Sequence, residues 1–473
     1  MIGHPVAGGH IHLIAICGVG MASLAGLLKA RGYRVTGSDQ NIYPPMSSYL
    51  DQVGIEVLAD YRAEHVTPRP DLVIIGNAIS RGNPEAEAVL SQNIPYISFP
   101  QALGEFLIGA SSCLVVAGTH GKTTTTALAA WVLTRAGLAP GFFVGGVPIN
   151  FGSGWNPGAG EHVVIEGDEY DSAFFDKGPK FLHYRPRNVI LTSVEFDHAD
   201  IYRDLDHMKN AFRRLMDIVP ADGRLVVCSD YAAAPEVAAA ARCPVIAYGD
   251  GAKADWTFAG LEMRAGRSFF DPCYKGRAEG RVEVGVIGRH NVKNALAVYA
   301  MGRAMGLERS KLLDGFATFA GVKRRQETKG EKRGVLVIDD FAHHPTAVRE
   351  TLQAVRDAYP ARRLWAVFEP RSHTSRRKIF AREFAQALAL ADRVVVAGLY
   401  LPEKIPEQDR LSVAEVVEEI NRSTGDGRAR VIEKAPEIAA CVARDAVAGD
   451  VVLVMSNGGF DGVQEKILEG LAG

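Results

Sequence analysis

The stretch VVAGTHGKTTTTALAAWVLTRAG, residues 115–137, limits what this chain can fold into more than any other. An apolar run breaks at a pair of glycines, passes a lysine and four threonines, and resumes with helical spacing. A strand, a glycine turn and a helix in that order form a phosphate loop. The N–H groups at the helix start point at oxyanions, and the helix dipole favours negative charge there. Only Thr119 and His120 separate Gly118 from Gly121, a tighter turn than the common G-x-x-x-x-G-K-[ST] loop. Lys122 is placed to reach the β- and γ-phosphates, and the Thr123 hydroxyl to bind Mg2+. Gly118, Thr119, His120, Gly121, Lys122, Thr123 and Thr124 are therefore the candidate nucleotide contacts. A surface lysine on a plain glycine turn is the bland alternative, and the flanking strand and helix argue against it.

Apolar strands alternate with amphipathic helical patterns along nearly the whole sequence, the signature of α/β architecture with mostly parallel sheets. HIHLIAICGVGMASLAGLLKARGYRVTGSD predicts a strand over Ile11–Cys17, a helix over Met21–Arg31 and a second strand over Arg34–Ser38. DLVIIGNAI (71–79) is a later strand and turn, and the segment closes near residue 110. A second segment begins with a strand over Leu114–Ala117 and the phosphate loop. It holds the strands VVIEGDEYD (163–171) and NVILTSVEFDH (188–198), a β-rich stretch from Arg224 to Val286, and the helix opened by GRHNVKNALAVYAMG. The third starts after FAGVKRRQE with GVLVIDDFAHHP (334–345), and RLWAVFEP, RVVVAG and DVVLVMSNGG alternate with helices to the end. A chain of 473 residues exceeds one hydrophobic core, and this reading gives three α/β domains, 1–110, 111–320 and 321–473.

A formal net charge of −2, with a modest basic run in the centre at Lys323, Arg324 and Arg325, argues against a nucleic-acid partner. Six scattered cysteines without a CxxC pair read as small core residues of a reducing compartment. The apolar stretch Ile11–Leu28 is broken by Gly18 and Gly20 and is short for a membrane span, and the N-terminus lacks a signal-peptide pattern. A cytoplasmic enzyme without membrane insertion is expected; the oligomeric state is open.

Carboxylates end the strands that flank the loop. VVIEGDEYD carries Glu166, Asp168, Glu169 and Asp171, and VEFDHAD carries Glu195, Asp197 and His198. Acids and a histidine so placed can hold Mg2+ against phosphates, and Glu166 and His198 are the expected ligands beside Thr123. Capping and solvated carboxylates account for several of the others. GRHNVKNALAVYA sets Asn291 and Asn294 on one face of a helix start, where amides cap the helix or meet an adenine edge. CGVGMASLA is like GxGxxG with Ser23 at the third glycine, and Asp39 ends the next strand. Gly18, Gly20 and Asp39 thus read as a dinucleotide-type turn or a generic βα turn. A nicotinamide-dependent oxidoreductase is the remote alternative, opposed by Ser23 and by the ATP machinery downstream. DDFAHHPTA groups Asp339, Asp340, His343 and His344 without the further Cys/His cluster that zinc would ask for. FEPRSHTSRR puts Arg371, Ser372, His373, Arg376 and Arg377 at a strand end, where arginines suit a carboxylate.

In their order along the chain, GTHGKT, the Glu166 strand, EFDH, GRHNVKN, GVKRR and DDFAHHP resemble the Mur ligases, the ATP-dependent amide ligases of peptidoglycan precursors. The resemblance runs from about Ile11 to the end and is strongest to the subgroup that accepts UDP-N-acetylmuramate. It implies an N-terminal Rossmann-like UDP-substrate domain, a central ATPase domain and a C-terminal Rossmann-like domain that closes over the site and excludes water. It also implies that ATP phosphorylates the muramoyl carboxylate and that an amine attacks the acyl phosphate. By the same resemblance Lys122 and Thr123 serve ATP and Mg2+, and Glu166 and His198 bind the metal. Asn291 and Asn294 meet adenine, Arg325 reaches the γ-phosphate on closure, and Asp340 meets the ribose. Gly18, Gly20 and Asp39 fall in the UDP-sugar domain, His343 is a candidate proton acceptor, and Arg371 and His373 are candidate acceptor contacts.

Several members of the family carry a carbamylated lysine after the metal histidine. Arg213 stands there in this chain and cannot be carbamylated in that way, an absence shared by the branch that adds L-alanine. In that branch the third-domain strand typically ends Pro-His-Arg-Tyr, whereas EPRSHTS puts Arg371 and Ser372 at the His and Arg places. GNAISRGNPE, GGVPINF, YDSAFFDKGPKFLHYRPRNVIL and MSNGGFDGVQEKIL resemble instead the branch that reattaches the recycled murein tripeptide L-alanyl-γ-D-glutamyl-meso-diaminopimelate. The long FFDKGPKFLHYRP connection is the most telling. Joining of that tripeptide to UDP-N-acetylmuramate is the expected reaction, and addition of L-alanine is the alternative.

Overall fold

The apolar runs of the sequence become the inner strands of parallel sheets. The computed structural model describes residues 6, 8–199 and 201–473, and the chain divides into two compact units. The first runs to Val194 and includes Asp206–Ala247 and Ala300–Gly315; the second comprises Glu195–Leu205, Tyr248–Tyr299 and Phe316–Gly473.

In the first unit, β1 (His10–Ile14) pairs in parallel with β2 (Arg34–Asp39) and β4 (Leu72–Ile75). With β3 (Glu56–Ala59) and β5 (Tyr96–Ser98) the order is β3-β2-β1-β4-β5. The chain reverses its winding beside β1, which opens a crevice at the carboxyl ends of the strands. β1 stops at Ile14, short of the expected Cys17, because Ala15 takes a left-handed φ of 68° and leads into α1 (Val19–Ala30). β1 is buried on both faces. Its His12 ring is accommodated there by hydrogen bonds to Glu85 Oε1 (2.6 Å) and Thr36 Oγ1 (2.7 Å), without which a buried imidazole would be costly.

The unit's other sheet centres on β6 (Ser112–Ala117), between β9 (His162–Gly167) and β12 (Pro186–Leu191). Adding β7 (Gly141–Phe143), β8 (Trp155–Asn156) and β13 (Arg224–Cys228) gives β13-β12-β6-β9-β7-β8, with only the β7–β8 pair antiparallel. α2 (Lys122–Arg135) follows β6 and is buried almost all round, which fits its Ala, Leu and Thr content. Between β9 and β12 the chain forms an antiparallel hairpin, β10 (Asp171–Ala173) and β11 (Asp176–Pro179). Phe181 and Tyr184 behind it are fully buried, each contributing about 1.5–3 kcal/mol.

One of the crossings between the units falls in β14 (Val245–Tyr248). In the second unit, β15 (Trp256–Arg264), β16 (Arg267–Tyr274), β17 (Arg277–Ala278) and β18 (Val282–Val284) form the antiparallel stretch read as β-rich. α3 (Arg289–Ala304) follows, its residues up to Tyr299 in this unit and those from Ala300 in the first. The C-terminal sheet has the order β19-β20-β24-β21-β22-β23, from β19 (Glu327–Lys332), β20 (Val335–Asp340), β21 (Leu364–Phe368), β22 (Arg393–Val396), β23 (Ala429–Val431) and β24 (Val451–Met455). All neighbours are parallel except the edge pair β19–β20. Side chains alternate between two cores. Leu336, Ile338, Leu364, Phe368 and Leu453 pack on one face, and Val335, Val337, Trp365, Val452 and Val454 on the other, so a strand covered on both faces reads as a continuous apolar run. All six cysteines are free thiols, and among the described residues no helix is long and apolar enough to cross a membrane.

Candidate nucleotide and substrate sites

β6 delivers the chain to Gly118 (φ 132°) and Gly121 (φ 77°), backbone conformations that favour glycine. A Cβ on Gly118 would press within 2.8 Å of the Ser193 backbone, and the loop is tied to that segment. Thr119 N–H donates to Ser193 O (3.0 Å), His120 N–H donates to Ser193 Oγ (2.9 Å), and Thr192 Oγ1 donates to His120 O (2.5 Å). β12 accordingly ends at Leu191, earlier than the strand read through residue 198, because Thr192 and Ser193 turn to hold the loop.

Gly121 caps α2 without a side-chain hydrogen bond, and Lys122, Thr123 and Thr124 in its first turn are buried. Lys122 Nζ donates to Gly118 O (2.6 Å) and lies 3.0 Å from Glu169 Oε2. Burial alone would lower the pKa of this ammonium; Glu169, Asp168 and Glu166 outweigh it and keep the group protonated. Thr123 Oγ1 donates to Glu166 Oε1 (2.8 Å), and Gly145 N–H donates to Glu166 Oε2 (2.7 Å). Burial, with the Asp168 charge, raises the Glu166 carboxyl above its ordinary value against the pull of Lys122 and these donors. A hydroxyl and a carboxylate side by side are hard oxygen donors of the kind Mg2+ takes. The helix start and buried ammonium suit phosphates, so the residues present fit both groups the loop implies.

The crevice after β1 encloses about 370 Å³ and is lined by Gly18, Gly20 and Asp39 as the sequence anticipates. Asp39 accepts from the N–H groups of Cys17 and Asn41, both at 2.9 Å, and so shapes the turn. Burial and the Asp39 charge push the Cys17 thiol up to about 11. Lys180 lines the same crevice, although sequence reasoning did not single it out.

Two clusters lie in the second unit. In one, Asp197 Oδ1 accepts from His198 N–H (2.7 Å) and Thr374 Oγ1 (2.6 Å), and His198 takes a left-handed φ of 53°, a strained conformation of the kind found at functional sites. Burial opposes the Asp197 charge, but His198, His343, His344 and the Thr374 hydroxyl hold its carboxyl well below the usual range. His343 Nδ1 lies 3.0 Å from Phe341 O, which leaves Nε2 as the free acceptor of the neutral ring. Burial holds His343 below its ordinary value despite Asp197 and that carbonyl.

The other cluster joins residues that the sequence assigns to adenine and ribose. Asn291 Nδ2 donates to Ile287 O (2.9 Å) and Gln326 Oε1 (3.0 Å), and Asn294 Nδ2 donates to Asn291 Oδ1 (3.2 Å). Asp340 accepts from the N–H groups of Gln326 and Ala342, both at 2.8 Å. Gln326, which the motif reading passed over, therefore connects the asparagines to Asp340. Arg325 stacks over the Phe341 ring at 4.4 Å, while its neighbour Arg324 is committed to Ser456 O (2.7 Å) and Gly458 O (2.5 Å).

The arginines of FEPRSHTSRR separate by role. Arg371 stacks on Tyr400 at 3.6 Å and His373 is exposed. Arg376, expected with them as a carboxylate contact, is buried and donates to Tyr400 O (2.9 Å) and Leu401 O (3.1 Å), so it secures a loop. Lys122, Thr123 and Glu166 thus come together in the first unit, and His198 and His343 in the second, as do Asn291, Asn294 and Asp340.

Three family descriptions match the chain: "Mur ligase family, catalytic domain" over residues 10–110, "Mur ligase middle domain" over 116–302, and "Mur ligase, glutamate ligase domain" over 324–458. The chain is 43% identical over 466 residues, 98% of each chain, to the UDP-N-acetylmuramate–L-alanyl-gamma-D-glutamyl-meso-2,6-diaminoheptandioate ligase of Escherichia coli. It is 33% identical over 460 residues, 97% of each, to a UDP-N-acetylmuramate–L-alanine ligase of an Anaeromyxobacter species. A crystal structure of a murein peptide ligase from Psychrobacter arcticus is similar with a TM-score of 0.71 and 36% identity, over 98% of this chain and 99% of that one.

Proposed function

Because the chain belongs to the Mur ligase family, we propose that it is an ATP-dependent ligase joining L-alanyl-γ-D-glutamyl-meso-diaminopimelate to UDP-N-acetylmuramate in peptidoglycan recycling. The observation that carries this reading is the 43% identity to a tripeptide ligase over 98% of both chains, against 33% to an alanine ligase. The three domains are assigned as 1–110 for UDP-N-acetylmuramate, 111–320 for ATP and 321–473 for the acceptor peptide, in a cytoplasmic enzyme.

Thr123, Glu166 and His198 would hold Mg2+, which when bound would neutralise phosphate charge. Lys122 draws negative charge off the transferring γ-phosphate, and Arg325 adds a second cation to it. Asn291 and Asn294 take the adenine and Asp340 the ribose. The muramoyl carboxylate oxygen attacks the γ-phosphorus, ADP leaves, and an acyl phosphate results. The tripeptide amine then attacks the acyl carbon, expelling inorganic phosphate and forming the amide. His343, neutral at physiological pH because it is buried, is suited to accept the amine proton at Nε2, and Arg371 and His373 receive the acceptor peptide.

ADP release measured with UDP-N-acetylmuramate and either acceptor tests the assignment. Turnover with the tripeptide is expected to exceed that with L-alanine by about a hundredfold or more, the order expected when a site built for polar groups meets a substrate lacking them. Strong turnover with L-alanine alone would move the protein to the other branch.

A further inference from the structure

The connection FFDKGPKFLHYRP forms β11 and the turn after it, and it carries Lys180 to the crevice at the end of β1. Among the described residues lining that crevice Lys180 is the only cation. Asp39 is the only anion there, and it is already engaged by two backbone N–H groups. Gly18, also in the lining, is the N-cap of α1, and no side-chain hydrogen bond caps that helix start.

The ammonium is aimed rather than loose. Lys180 Nζ lies 2.9 Å from Asp168 Oδ2, with the two side chains 17% and 24% exposed. It sits over the rings of Tyr170 (5.3 Å) and Phe99 (5.8 Å). Phe99 in turn packs on Gly20, where an added Cβ would come within 3.1 Å of the ring. One phenylalanine ring therefore spans from the start of α1 to the lysine. An oxyanion between them meets N–H groups backed by the helix dipole on one side and an ammonium on the other.

Resting on the reading of this crevice as the sugar-nucleotide site, we propose that Lys180 binds the diphosphate of UDP-N-acetylmuramate together with the N-terminus of α1, with Asp168 as the residue that positions it. The telltale connection of the sequence thus supplies the crevice with its cation. Asp168 stands two residues beyond Glu166, the β9 carboxylate that meets Thr123 of the phosphate loop, so the same strand end serves both substrates.

The test uses the full-length protein with Lys180→Met and Lys180→Arg, titrated with UDP and with UDP-N-acetylmuramate and assayed for turnover. Lys180→Met is expected to weaken both ligands by the same factor, about tenfold or more, as for a lost charge-assisted hydrogen bond. KM for UDP-N-acetylmuramate should rise while kcat and KM for ATP stay within about threefold, and Lys180→Arg should restore most of the affinity. Unchanged UDP affinity in Lys180→Met overturns the proposal. A loss confined to UDP-N-acetylmuramate also overturns it, because the lysine would then read the sugar acid's carboxylate. An equal rise in KM for ATP overturns it as well, since the effect would then pass through Asp168. A wild-type protein that neither binds UDP nor turns over sinks the functional reading too, whereas active wild type beside a silent Lys180→Met sinks this inference alone.

Discussion

Lys122 has two tasks that a single substitution confounds. Its ammonium is the cation of the phosphate loop, and it also lies 3.0 Å from a carboxylate oxygen of Glu169, whose side chain is completely buried. Replacing Lys122 by Met removes the charge that a transferring phosphate needs, and turnover should fall by about a thousandfold. It also removes the Lys122 charge from beside the buried Glu169 carboxylate, at a cost on the order of 3 kcal/mol. The double variant Lys122→Met/Glu169→Gln should regain most of that stability in urea unfolding and none of the activity. Recovery of turnover in the double variant would mean that Lys122 acts through Glu169 and not on phosphate. The motif made Lys122 legible from sequence because its context, strand and glycines and helix, is contiguous. Glu169 was one of four acids in VVIEGDEYD, and nothing local marks which of them turns inward.

The same limit holds for elements. Strands buried on both faces announce themselves as apolar runs: β20, β21 and β24 fall within the runs that the sequence shows, and β6 covers its expected Leu114–Ala117 but starts two residues earlier, at Ser112. Their ends are set by partners far along the chain: β1 stops where Ala15 turns, and β12 where Thr192 and Ser193 reach the phosphate loop. Asp450, just before β24, is such a partner. Its carboxylate accepts from Arg363 Nε (3.0 Å) and Nη2 (2.7 Å), Trp365 Nε1 (2.9 Å) and Val447 N–H (3.0 Å), joining the starts of β21 and β24. Burial opposes the charge, but Arg363, the Val447 amide and Trp365 prevail and hold the carboxyl below its ordinary value. The folded state therefore binds the proton more weakly than the unfolded chain. The stability this group contributes is present above about pH 4 and is lost as pH falls through and below that point. Asp450→Asn should cost about 2 kcal/mol at pH 7, and the gap between wild type and variant should narrow in unfolding measured at pH 3. A gap independent of pH would show that shape, not charge, does the holding.

Across the whole molecule, the chemistry proposed for one reaction is drawn from both compact units: Lys122, Thr123 and Glu166 from the first, His198, Arg325 and His343 from the second. Sequence pattern made the alternation of strands and helices legible, and with it the α/β class. It could not mark Gln326 between Asn291 and Asp340, Thr374 on Asp197, or Lys180 at the crevice, because each is recruited by packing between distant segments and lacks a local signature. Residues that act as a single catalytic unit have strongly non-additive effects on rate, whereas independent damage multiplies. Lys122→Met and His198→Ala should each slow single-turnover ADP release, by about a thousandfold and a hundredfold respectively. If both serve one Mg2+-bound triphosphate, the double variant should be no more than about threefold slower than Lys122→Met alone. If His198 only braces Asp197 within its own unit, the two losses should compound and the double variant should fall about a further hundredfold. That result would remove His198 from the metal site while leaving the phosphate loop in place.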